Sequence, residues 1–469
     1  MRKKKPYPLP NVAFTGIADK GQCVGKTEDG QTIFTTGVVP GDIADVLVIN
    51  KKKGYIQAVV QEIKKWSEDR TAPFCAHFGT CGGCKWQHLR YEAQTAQKEE
   101  VVRQALTRIG KVQVDEWLPI MASPHTAHYR NKLEFAFSCK RWLTRDEVLT
   151  GASNRVDVLG FHPSGGFDKV IDIQTCYLQP EPSNKIRNAA REIGIEQGYS
   201  FYDAVSHVGF LRNIMLRITS LGQAMVLMSF GEDDAEKIRF FSDALLQRVP
   251  EITTLVYCVN TKFNDTVYDL EMHTWYGPGY VEEMLGNVRF RIGPKSFFQT
   301  NTSQAETLYR IARDFAGLTG TENVYDLYTG IGSIALFVAG HCRQVVGIEE
   351  VAAAVEDAQV NSTLNGIENV RFYAGDVKNI LTTAFAETHG RPDVLITDPP
   401  RAGMHPDVVQ MLLQLESPKI VYVSCNPATQ ARDLHLLQEK YAVRKVQPVD
   451  MFPHTHHIEN VALLELRSL

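Results

Sequence analysis

Hydrophobic and polar positions alternate in short runs over the first part of the chain, residues 8–65. Apolar β-type runs such as Gln31–Phe34, Ala44–Ile49 and Tyr55–Val60 are separated by turn signals such as Asp29-Gly30. The pattern contains five short strands, the number found in an OB-type barrel, which is a common platform for oligonucleotides. It therefore predicts a small N-terminal β-barrel.

The middle of the chain has a less regular pattern. Glu92–Ile109 places apolar side chains at helical spacing and is followed by Gly110, a frequent helix stop. Between residues 125 and 290 strand-like and helix-like runs mix, and Lys132–Phe137 and Ile214–Thr219 are typical of antiparallel strands. We therefore expect an α+β region here.

From Phe297 onward, strand-like and helix-like segments alternate regularly. The predicted strands, each followed by a helical stretch, are Val324–Leu327, Gln344–Ile348, Val370–Tyr373, Val394–Thr397 and Ile420–Val423. This alternation predicts an open parallel sheet with helices on both faces, the Rossmann-like α/β architecture. In such a sheet ligands bind beyond the carboxyl ends of the strands.

The composition is ordinary for a soluble globular protein, with 44% hydrophobic and 22% charged residues in a chain of 469. That length predicts about two to four domains. No apolar run is long enough to span a membrane, and Met1–Lys5 is not followed by the apolar stretch of a secretory signal. We expect a cytoplasmic protein with reduced thiols and no membrane partner.

The formal net charge of −4 argues against a uniformly basic nucleic-acid binder. The charge is uneven, however, because residues 1–70 are richer in Lys and Arg than in Asp and Glu, with clusters at Arg2–Lys5 and Lys51–Lys53. A local basic face can bind phosphates on an acidic protein. Both clusters are equally typical of solvated charge runs.

Three cysteines, Cys75, Cys81 and Cys84, follow the pattern C-x5-C-x2-C. Glycines between them allow a compact turn, and a reducing compartment disfavours a disulfide. A zinc site usually takes two C-x-x-C pairs, whereas three clustered thiolates and one remote thiolate fit a [4Fe–4S] cluster better. Zinc and unliganded cysteines are the alternatives. Spacing alone does not choose the fourth thiolate among Cys139, Cys176 and Cys258.

The segment Asp326–Ser333, D-L-Y-T-G-I-G-S, runs from a predicted strand through a glycine turn into a predicted helix. Glycines there let the backbone approach a ligand. The next strand ends in Glu349, placed to accept both hydroxyls of a ribose. The third is followed by Asp376, placed to accept from an adenine amino group. A dinucleotide is the alternative ligand, but the D-L-Y-T-G-I-G form favours S-adenosylmethionine (SAM).

Two further strand ends carry reactive groups. The fourth strand runs into Asp398-Pro-Pro-Arg401. Amine methyltransferases that act on bases often have an aromatic residue after Asp-Pro-Pro. The arginine at position 401 therefore counts against amine chemistry. The fifth runs into Ser424-Cys425-Asn426-Pro427, where a cysteine meets the usual ligand-binding edge. On position alone, Cys425 fits core packing as well as it fits chemistry.

The chain resembles the RNA 5-methyluridine methyltransferases, specifically the bacterial 23S rRNA uracil-C5 branch. The resemblance extends over nearly the whole length and is carried by the predicted barrel, which is similar to a TRAM domain, the cysteine loop, Ser296–Asn301, Asp326–Gly332, Asp398–Gly403, Ser424–Pro427 and His457–Glu459. It implies SAM-dependent modification of a uridine in 23S rRNA to 5-methyluridine, or the same chemistry on tRNA. It also implies a monomer.

The resemblance implies roles for the matching residues. Cys425 corresponds to the nucleophile and Glu459 to the general base. The positions that correspond to the SAM and uracil pocket are Gln299, Tyr328, Ser333, Glu349, Asp376 and Asp398. Those that correspond to ligands of a [4Fe–4S] cluster are Cys75, Cys81, Cys84 and Cys176. Ser333 and Asp376 stand where some relatives have amides.

The family architecture implies three domains. An RNA-binding TRAM barrel would span residues 1–68, and a central α+β domain with the cysteine cluster would span 69–91 and 125–295. A SAM-dependent methyltransferase domain would span 92–124 and 296–469. The tRNA-modifying branch generally lacks both the cysteine loop and the barrel, so these features favour rRNA as the substrate.

Methylation at uracil C5 needs one nucleophile and one base, because C5 becomes reactive only after a thiolate adds to C6. In this hypothesis Cys425 and Glu459 supply them to a flipped-out pyrimidine. Candidate substrate contacts are Gln299, Asp398, Arg401 and Asn426. A free thiol is mostly protonated at neutral pH, so we expect Arg401, Arg432 or helix-terminal amides to lower the pKa of Cys425.

Two other classes of protein compete with this interpretation. A methyltransferase acting on RNA amines or small molecules is compatible with the D-P-P motif but leaves Cys425 and Glu459 unexplained. An RNA-binding or redox-sensing protein on a vestigial methyltransferase fold would not need Gln299, Cys425 and Glu459 together. The histidines His454, His456 and His457 form an alternative metal cluster, although they fit an active-site loop better.

Overall fold

The structure, a computed structural model, describes residues 6–18 and 21–467. The basic cluster Arg2–Lys5 lies outside the described residues. The described chain forms a closed five-stranded barrel, a seven-stranded sheet, a two-stranded sheet and an eight-stranded sheet. No helix within those ranges is long and apolar enough to cross a membrane.

The N-terminal part of the chain is the barrel. Its strands are β1 (Tyr7–Ile17), β2 (Cys23–Lys26), β3 (Thr32–Thr35), β4 (Ile43–Lys52) and β5 (Tyr55–Lys65). They close in the order β1-β2-β3-β5-β4, and alternate side chains such as Ile33, Val46 and Ile56 fill the interior. The predicted barrel is confirmed. Lys51–Lys53 lies exposed where β4 turns into β5.

A helix connects the barrel and cysteine loop to the rest of the chain. Helix α1 (Tyr91–Gln104) continues as one π-helical turn over Ala105–Ile109 and ends at Gly110. The predicted helix and its stop are confirmed, although the last turn is wider than an α-helical turn. Gly110 is needed because a Cβ atom there would lie 2.5 Å from the Ala431 carbonyl oxygen. Strand β6 (Val114–Trp117) follows.

The middle of the chain is a mixed layer of strands and helices. Its elements are β7 (Lys132–Ser138), α2 (Arg145–Leu149), β8 (Val158–Phe161), β9 (Ile171–Asp172), α3 (Ser183–Glu196), β10 (Leu211–Ile218), β11 (Ala224–Phe230), α4 (Ala235–Arg248), β12 (Thr254–Val259) and β13 (His273–Tyr276). The strand order is β13-β12-β11-β10-β7-β8-β9. Strands β7 and β10 pair antiparallel, as the sequence predicts.

The C-terminal part begins with a hairpin and continues as strand–helix units. The hairpin strands are β14 (Val281–Leu285) and β15 (Val288–Ile292). The later elements are α5 (Thr302–Ala316), β16 (Asn323–Leu327), α6 (Ser333–Ala339), β17 (Gln344–Glu349), α7 (Ala352–Leu364), β18 (Val370–Ala374), α8 (Val377–Ile380), α9 (Thr383–His389), β19 (Val394–Thr397), α10 (Pro406–Leu415), β20 (Lys419–Ser424), α11 (Pro427–Leu437), β21 (Tyr441–Val449) and β22 (Glu459–Leu466).

The eight-stranded sheet has the order β18-β17-β16-β19-β20-β22-β21-β6. The five predicted strands β16–β20 are present and parallel, and helices pack against both faces, which confirms the Rossmann-like prediction. The sheet is not parallel throughout, however, because β22 runs antiparallel between β20 and β21. Strand β6 adds an edge to this sheet. The domain boundaries as a whole stay a prediction.

Candidate active site

Five of the predicted site residues lie at strand ends of the C-terminal sheet. Tyr328 follows β16, Glu349 ends β17, Asp376 comes after β18, Asp398 follows β19 and Cys425 follows β20. Because these strands are parallel, their carboxyl ends meet at one edge of the sheet. The structure therefore brings the predicted cofactor residues and the predicted nucleophile to the same edge.

Cys425 lies in a two-residue link between β20 and α11. The second residue of the link, Asn426, caps α11, because its side-chain oxygen accepts a hydrogen bond from the Ala428 N–H at 3.1 Å. Its amide nitrogen donates to the Arg401 carbonyl oxygen at 2.9 Å. Asn426 thus ties the Cys425 link to the Asp398–Gly403 segment. Its expected contact with uracil stays a prediction.

Glu459 begins β22 and lies beside Cys425. In the antiparallel ladder between β20 and β22, Asn460 pairs with Ser424. Cys425 follows Ser424 and Glu459 precedes Asn460, so Cys425 and Glu459 are neighbours at the carboxyl end of β20. Glu459 is only 5% exposed. Burial raises its pKa well above the ordinary value, Asp398 adds to the rise and Arg401 opposes it. The ligand-free site therefore favours a protonated Glu459.

The thiol of Cys425 is harder to ionise than the sequence analysis expects. Its pKa is raised to about 11, first by burial and then by the charges of Glu459 and Asp398, while Arg401 lowers it. The prediction of a lowered pKa is therefore wrong for the ligand-free protein. One arginine beside two carboxyl groups does not offset the loss of hydration.

Arg432, the other arginine expected near the thiol, is engaged elsewhere. Its guanidinium lies 2.7 Å from a carboxylate oxygen of Asp433. It also donates to the carbonyl oxygens of Ala402 (3.1 Å) and Met404 (3.2 Å). These contacts hold the Asp398–Gly403 segment against α11. Arg432 therefore stabilises the segment that carries Asp398 and Arg401.

Two more buried carboxyl groups lie at the strand ends. Burial raises the pKa of Asp326 and of Asp398 to about 7. Through Oδ2, Asp326 accepts from the Thr329 hydroxyl at 2.5 Å and the Ala335 N–H at 3.0 Å, whereas Oδ1 has no hydrogen-bond partner. Together with Glu459 these acids make a site with an excess of carboxyl groups, which suits a cationic ligand.

The glycine turn after β16 has the backbone conformation that a close ligand contact needs. Gly330 and Gly332 have φ of 58° and 81°, and Tyr328 has a φ of 65°. A tyrosine in this left-handed region is strained, which is frequent at functional sites. Glu349 holds the turn from the neighbouring strand, because its carboxylate accepts from the Gly330 N–H at 3.0 Å.

Asp376 lies at the rim of the same edge. Its carboxylate caps α8 by accepting from the Lys378 N–H at 3.1 Å and pairs with the Lys378 ammonium at 2.9 Å. These contacts, the side-chain hydrogen bond first, lower the pKa of Asp376. Asp376 is therefore an ionised acceptor at neutral pH.

A tyrosine that the sequence analysis missed lies among the predicted cofactor residues. Tyr309 on α5 is 3% exposed, and burial is the main cause of its raised pKa. Its phenol lies near the carboxyl groups of Asp398 and Asp326, which raise its pKa, and near the side chains of Ser333 and Gln299, which lower it. In the sequence, Tyr309 belongs to the apolar stripe of an amphipathic helix, which is typical of core packing.

Cys425 opens into a groove of about 460 Å³ that three parts of the chain enclose. The barrel contributes Ile17 and Ala18, and the π-helical turn after α1 contributes Arg108 and Ile109. Residues before Glu459 complete the lining. The groove therefore gives Cys425 access to a substrate that also contacts the barrel.

The four predicted cluster cysteines line one small enclosed pocket. Cys75, Cys81, Cys84 and Cys176 share its walls with apolar side chains, including Phe74, Phe78 and Ile173. Burial raises the pKa of Cys81 to about 11 and that of Cys84 to about 12, and neighbouring thiols add to both rises. Of the three candidates for the fourth thiolate, the pocket contains Cys176.

Metal ligation itself is not shown. In the part of the chain that the structure describes, no group of three or more His, Cys, Asp or Glu side chains is arranged to hold a metal ion. This applies to the cysteine pocket and equally to His454, His456 and His457. The iron–sulfur cluster therefore stays a prediction.

Comparisons with known proteins show which family the chain is similar to. Residues 278–467 match the family described as tRNA (Uracil-5-)-methyltransferase, and residues 11–60 match the TRAM domain. An uncharacterized RNA methyltransferase of Bacteroides thetaiotaomicron is 52% identical over 456 residues, 96% of this chain and 100% of the relative. Another, from Porphyromonas gingivalis, is 51% identical over 461 residues, 97% of this chain and 99% of the relative.

A solved structure is similar over the whole fold. The crystal structure of the Pyrococcus abyssi tRNA (uracil-54, C5)-methyltransferase in complex with S-adenosyl-L-homocysteine has a TM-score of 0.74 and 27% sequence identity. The match covers 97% of this chain and 99% of that chain, so it includes the barrel. The expectation that tRNA-modifying relatives lack the barrel is therefore wrong for this relative.

The fold, the strand-end site and these matches define the class of protein: it is a SAM-dependent RNA methyltransferase that acts on C5 of uracil. The chain belongs to the RNA uracil-5 methyltransferase family with a TRAM domain. This membership gives no support to the amine-methylating and vestigial alternatives.

Proposed function

We propose that the chain converts a uridine of 23S rRNA to 5-methyluridine through a covalent bond between Cys425 and uracil C6. The observation that carries this proposal is the juxtaposition of one thiol and one buried carboxyl group, Cys425 and Glu459, at the end of two paired strands. A C5 methylation needs these two groups on the same base. The groove at Cys425 supplies the access that RNA requires.

In the proposed reaction the Cys425 thiol loses its proton to solvent water, and its sulfur forms a bond to uracil C6. The C5–C6 π electrons move toward O4, which makes C5 a nucleophile. Bound SAM supplies a methyl group from a positively charged sulfur, and C5 takes that methyl group. Glu459 then removes the C5 proton, the C5–C6 double bond re-forms and the Cys425 sulfur leaves as a thiolate.

The charges of the ligand-free site support an ordered ionisation. Cys425 and Glu459 both favour their protonated forms before the substrates bind. A cationic ligand beside Asp398 lowers the pKa of every acidic group around it. We therefore expect Glu459 to become a carboxylate and Cys425 to become a thiolate only once both substrates are bound, with Arg401 adding to the effect. This order protects the thiol from premature reaction.

The residues that would hold SAM are Gln299, Tyr328, Ser333, Glu349, Asp376 and Asp398. Three observations fit a cationic nucleoside ligand: the strained backbone at Tyr328, the open turn at Gly330 and the unpartnered Oδ1 of buried Asp326. We add Tyr309 to the set, because its buried phenol lies near the side chains of Ser333 and Gln299. Tyr309 would fix both side chains against the ligand.

The residues that would hold a [4Fe–4S] cluster are Cys75, Cys81, Cys84 and Cys176. Four thiols around a shared space match a polynuclear centre, whereas zinc needs its four ligands within about 2.3 Å of one point. A bound cluster would hold the thiolates that burial otherwise disfavours. The cluster would have a structural role here: it would hold the cysteine loop, residues 75–84, against the seven-stranded sheet.

Glu459→Gln tests the covalent mechanism. The variant keeps the nucleophile but lacks the base, so we expect a protein–RNA adduct that carries an already methylated base and survives denaturation. The control is Glu465→Gln, on the same strand but with a side chain 39% exposed, which we expect to turn over normally. Failure of Glu459→Gln to accumulate any adduct while it still binds RNA would assign the base to another group.

A second candidate substrate is tRNA, because the similar Pyrococcus abyssi enzyme is a tRNA methyltransferase. The two are distinguished by nucleoside mass spectrometry of separated 23S rRNA and tRNA from a strain that lacks the gene. We expect loss of 5-methyluridine from 23S rRNA alone. Loss from tRNA alone would keep the chemistry and reassign the substrate. An unchanged content in both pools would contradict the proposed function.

A further inference from the structure

The loop between β21 and β22, residues 450–458, leads directly to the proposed base Glu459. It is fixed at its start by α1. Lys98 and Asp450 form an ion pair of 2.5 Å with both side chains buried, and Lys98 also donates to the Phe452 carbonyl oxygen at 3.0 Å. The Tyr91 hydroxyl donates to Asp450 at 2.8 Å. The first half of the loop therefore has little freedom.

The middle of this loop is held at one residue, His454, by the segment that follows Cys84 and by α1. The carbonyl oxygen of His454 accepts from the backbone N–H groups of Lys85 (2.8 Å) and Trp86 (3.0 Å). Its own N–H donates to the side-chain oxygen of Gln94 at 2.8 Å. Buried hydrogen bonds of this kind define a position well, because breaking them leaves unsatisfied polar groups.

His454 is in contact with the chain on both sides of the three clustered cysteines. Lys85 and Trp86 come directly after Cys84. The ring of Phe74, which comes directly before Cys75, packs edge-on against the His454 ring with centroids 5.3 Å apart. Both ends of the cysteine loop therefore contact His454 directly.

The backbone of His454 is left-handed, with φ of 63°, and the residue is 7% exposed. This conformation is uncommon outside glycine and persists only when surrounding contacts impose it. With this backbone the carbonyl group of His454 faces the N–H groups of Lys85 and Trp86. Four residues then separate His454 from Glu459.

From these contacts we infer that His454 is a positioning residue through which the cysteine loop sets the location of Glu459 and so controls the release of methylated uracil from Cys425. The inference rests on the proposed function, because it assumes that Glu459 is the base. Its physical basis is the short connection between the two residues. Because His454 is held in place and only four residues separate it from Glu459, Glu459 has little freedom to change position. A base displaced by about 1 Å can cost about 10²-fold in rate.

The test uses two variants of the full chain, His454→Val and His454→Gly. Both lose the imidazole, but valine disfavours the left-handed backbone whereas glycine adopts it freely. In single-turnover reactions with RNA and SAM we expect His454→Val to transfer the methyl group at nearly the normal rate and to release product about 10²-fold more slowly. His454→Gly should release product within a few-fold of the wild-type rate. A folded His454→Val with the wild-type ratio of release to methyl transfer would overturn the inference.

The cysteine side is tested with Cys84→Ser, and Cys139→Ser is the control from the same domain outside the pocket. Hydrogen exchange provides the readout that does not depend on activity. In Cys84→Ser and His454→Val we expect faster exchange over residues 452–459 and unchanged exchange in strand β17. Unchanged exchange over 452–459 in Cys84→Ser would overturn the inference even if His454→Val fails to fold.

Glu459→Gln, measured in parallel, separates the two proposals. If Glu459→Gln accumulates methylated adduct and His454→Val does not, the covalent mechanism stands and the positioning role of His454 is wrong. If neither accumulates adduct, the assignment of Glu459 fails, and the exchange of residues 452–459 alone decides whether the cysteine loop fixes this segment.

Discussion

Two regions of this molecule are built around buried cysteines, and their neighbours differ. In the cysteine pocket, Cys81 and Cys84 face other thiols and apolar rings. At the strand ends, Cys425 faces Glu459, Asp398 and Arg401. Burial raises the thiol pKa to about 11 or 12 for all three cysteines. Thiol acidity therefore does not distinguish the two regions.

The two regions differ in the proton transfers that the groups next to each cysteine allow. Four thiols around one space suit a centre that binds several thiolates together and displaces their protons. One thiol beside carboxyl groups suits a reaction in which a proton leaves one group and a second proton is removed from the substrate. The neighbours of a buried cysteine, more than its pKa, thus indicate its function.

The largest expected effect is the loss of chemistry in Cys425→Ala. Without a nucleophile, C5 stays unreactive, and we expect turnover to fall by more than about 10⁴-fold while RNA binding is retained. The control is Cys342→Ala, which removes a buried thiol just before β17, at the opposite end of that strand from Glu349. Methyl transfer from labelled SAM and filter binding measure the two properties. Turnover of Cys425→Ala within tenfold of wild type would contradict the covalent mechanism.

The second prediction concerns the cysteine pocket. After anaerobic purification we expect iron, sulfide and visible absorption in the wild-type chain and in Cys425→Ser, and their loss in Cys84→Ser, because Cys84 is a proposed ligand and Cys425 is not. Metal analysis and absorption spectra measure this. Zinc in place of iron would favour the mononuclear alternative, and equal iron in Cys84→Ser would exclude Cys84 as a ligand.

The third prediction concerns Asp398, whose pKa is raised from 3.8 to about 7. Between about pH 4 and 7 the folded chain holds a proton that the unfolded chain has lost, so stability falls as pH rises through this window. Asp398→Asn removes the contribution of Asp398 but keeps those of Asp326 and Glu459, and it should be more stable than wild type at pH 8 by up to about 4 kcal/mol, with the difference closing near pH 4. Denaturant unfolding at both pH values measures it. A wild-type pH dependence in the variant would refute the assignment.

The smallest expected effect comes from Arg401. Because Arg401 lowers the pKa of Cys425, Arg401→Gln should raise it further and slow alkylation of Cys425 by a few-fold between pH 8 and 10. Arg444→Gln is the matched control, since Arg444 lies on β21 and its guanidinium pairs with Asp115 and Glu465. Mass spectrometry of the Cys425 peptide gives the rates. Equal rates in Arg401→Gln and wild type would exclude a charge effect of Arg401.

Much of the fold and part of the site follow from the sequence. The alternation of strands and helices predicts the parallel strands β16–β20, and parallel strands necessarily place Glu349, Asp398 and Cys425 at one edge. The barrel follows from short strands and turn residues in the same way. These features depend on local pattern and on general rules of sheet topology.

The remaining features depend on contacts between distant segments. The antiparallel course of β22, which places Glu459 beside Cys425, has no local signal. Tyr309 has the spacing of a core residue, and its hydroxyl becomes relevant only when α5 packs against the strand ends. The wrong prediction for the pKa of Cys425 has the same origin, because burial and two carboxyl groups from other strands outweigh Arg401.

The most direct test of the central claim uses RNA that carries 5-fluorouridine at the target site. The C5 fluorine cannot be removed as a proton is, so the reaction should stop after methyl transfer with the base still bound to the enzyme. We predict, by mass spectrometry of the digested complex, a methylated fluorouracil nucleotide attached to the Cys425 peptide, and no attachment in Cys425→Ala. Normal methylation of natural RNA without any such adduct, or attachment to another residue, would contradict the mechanism.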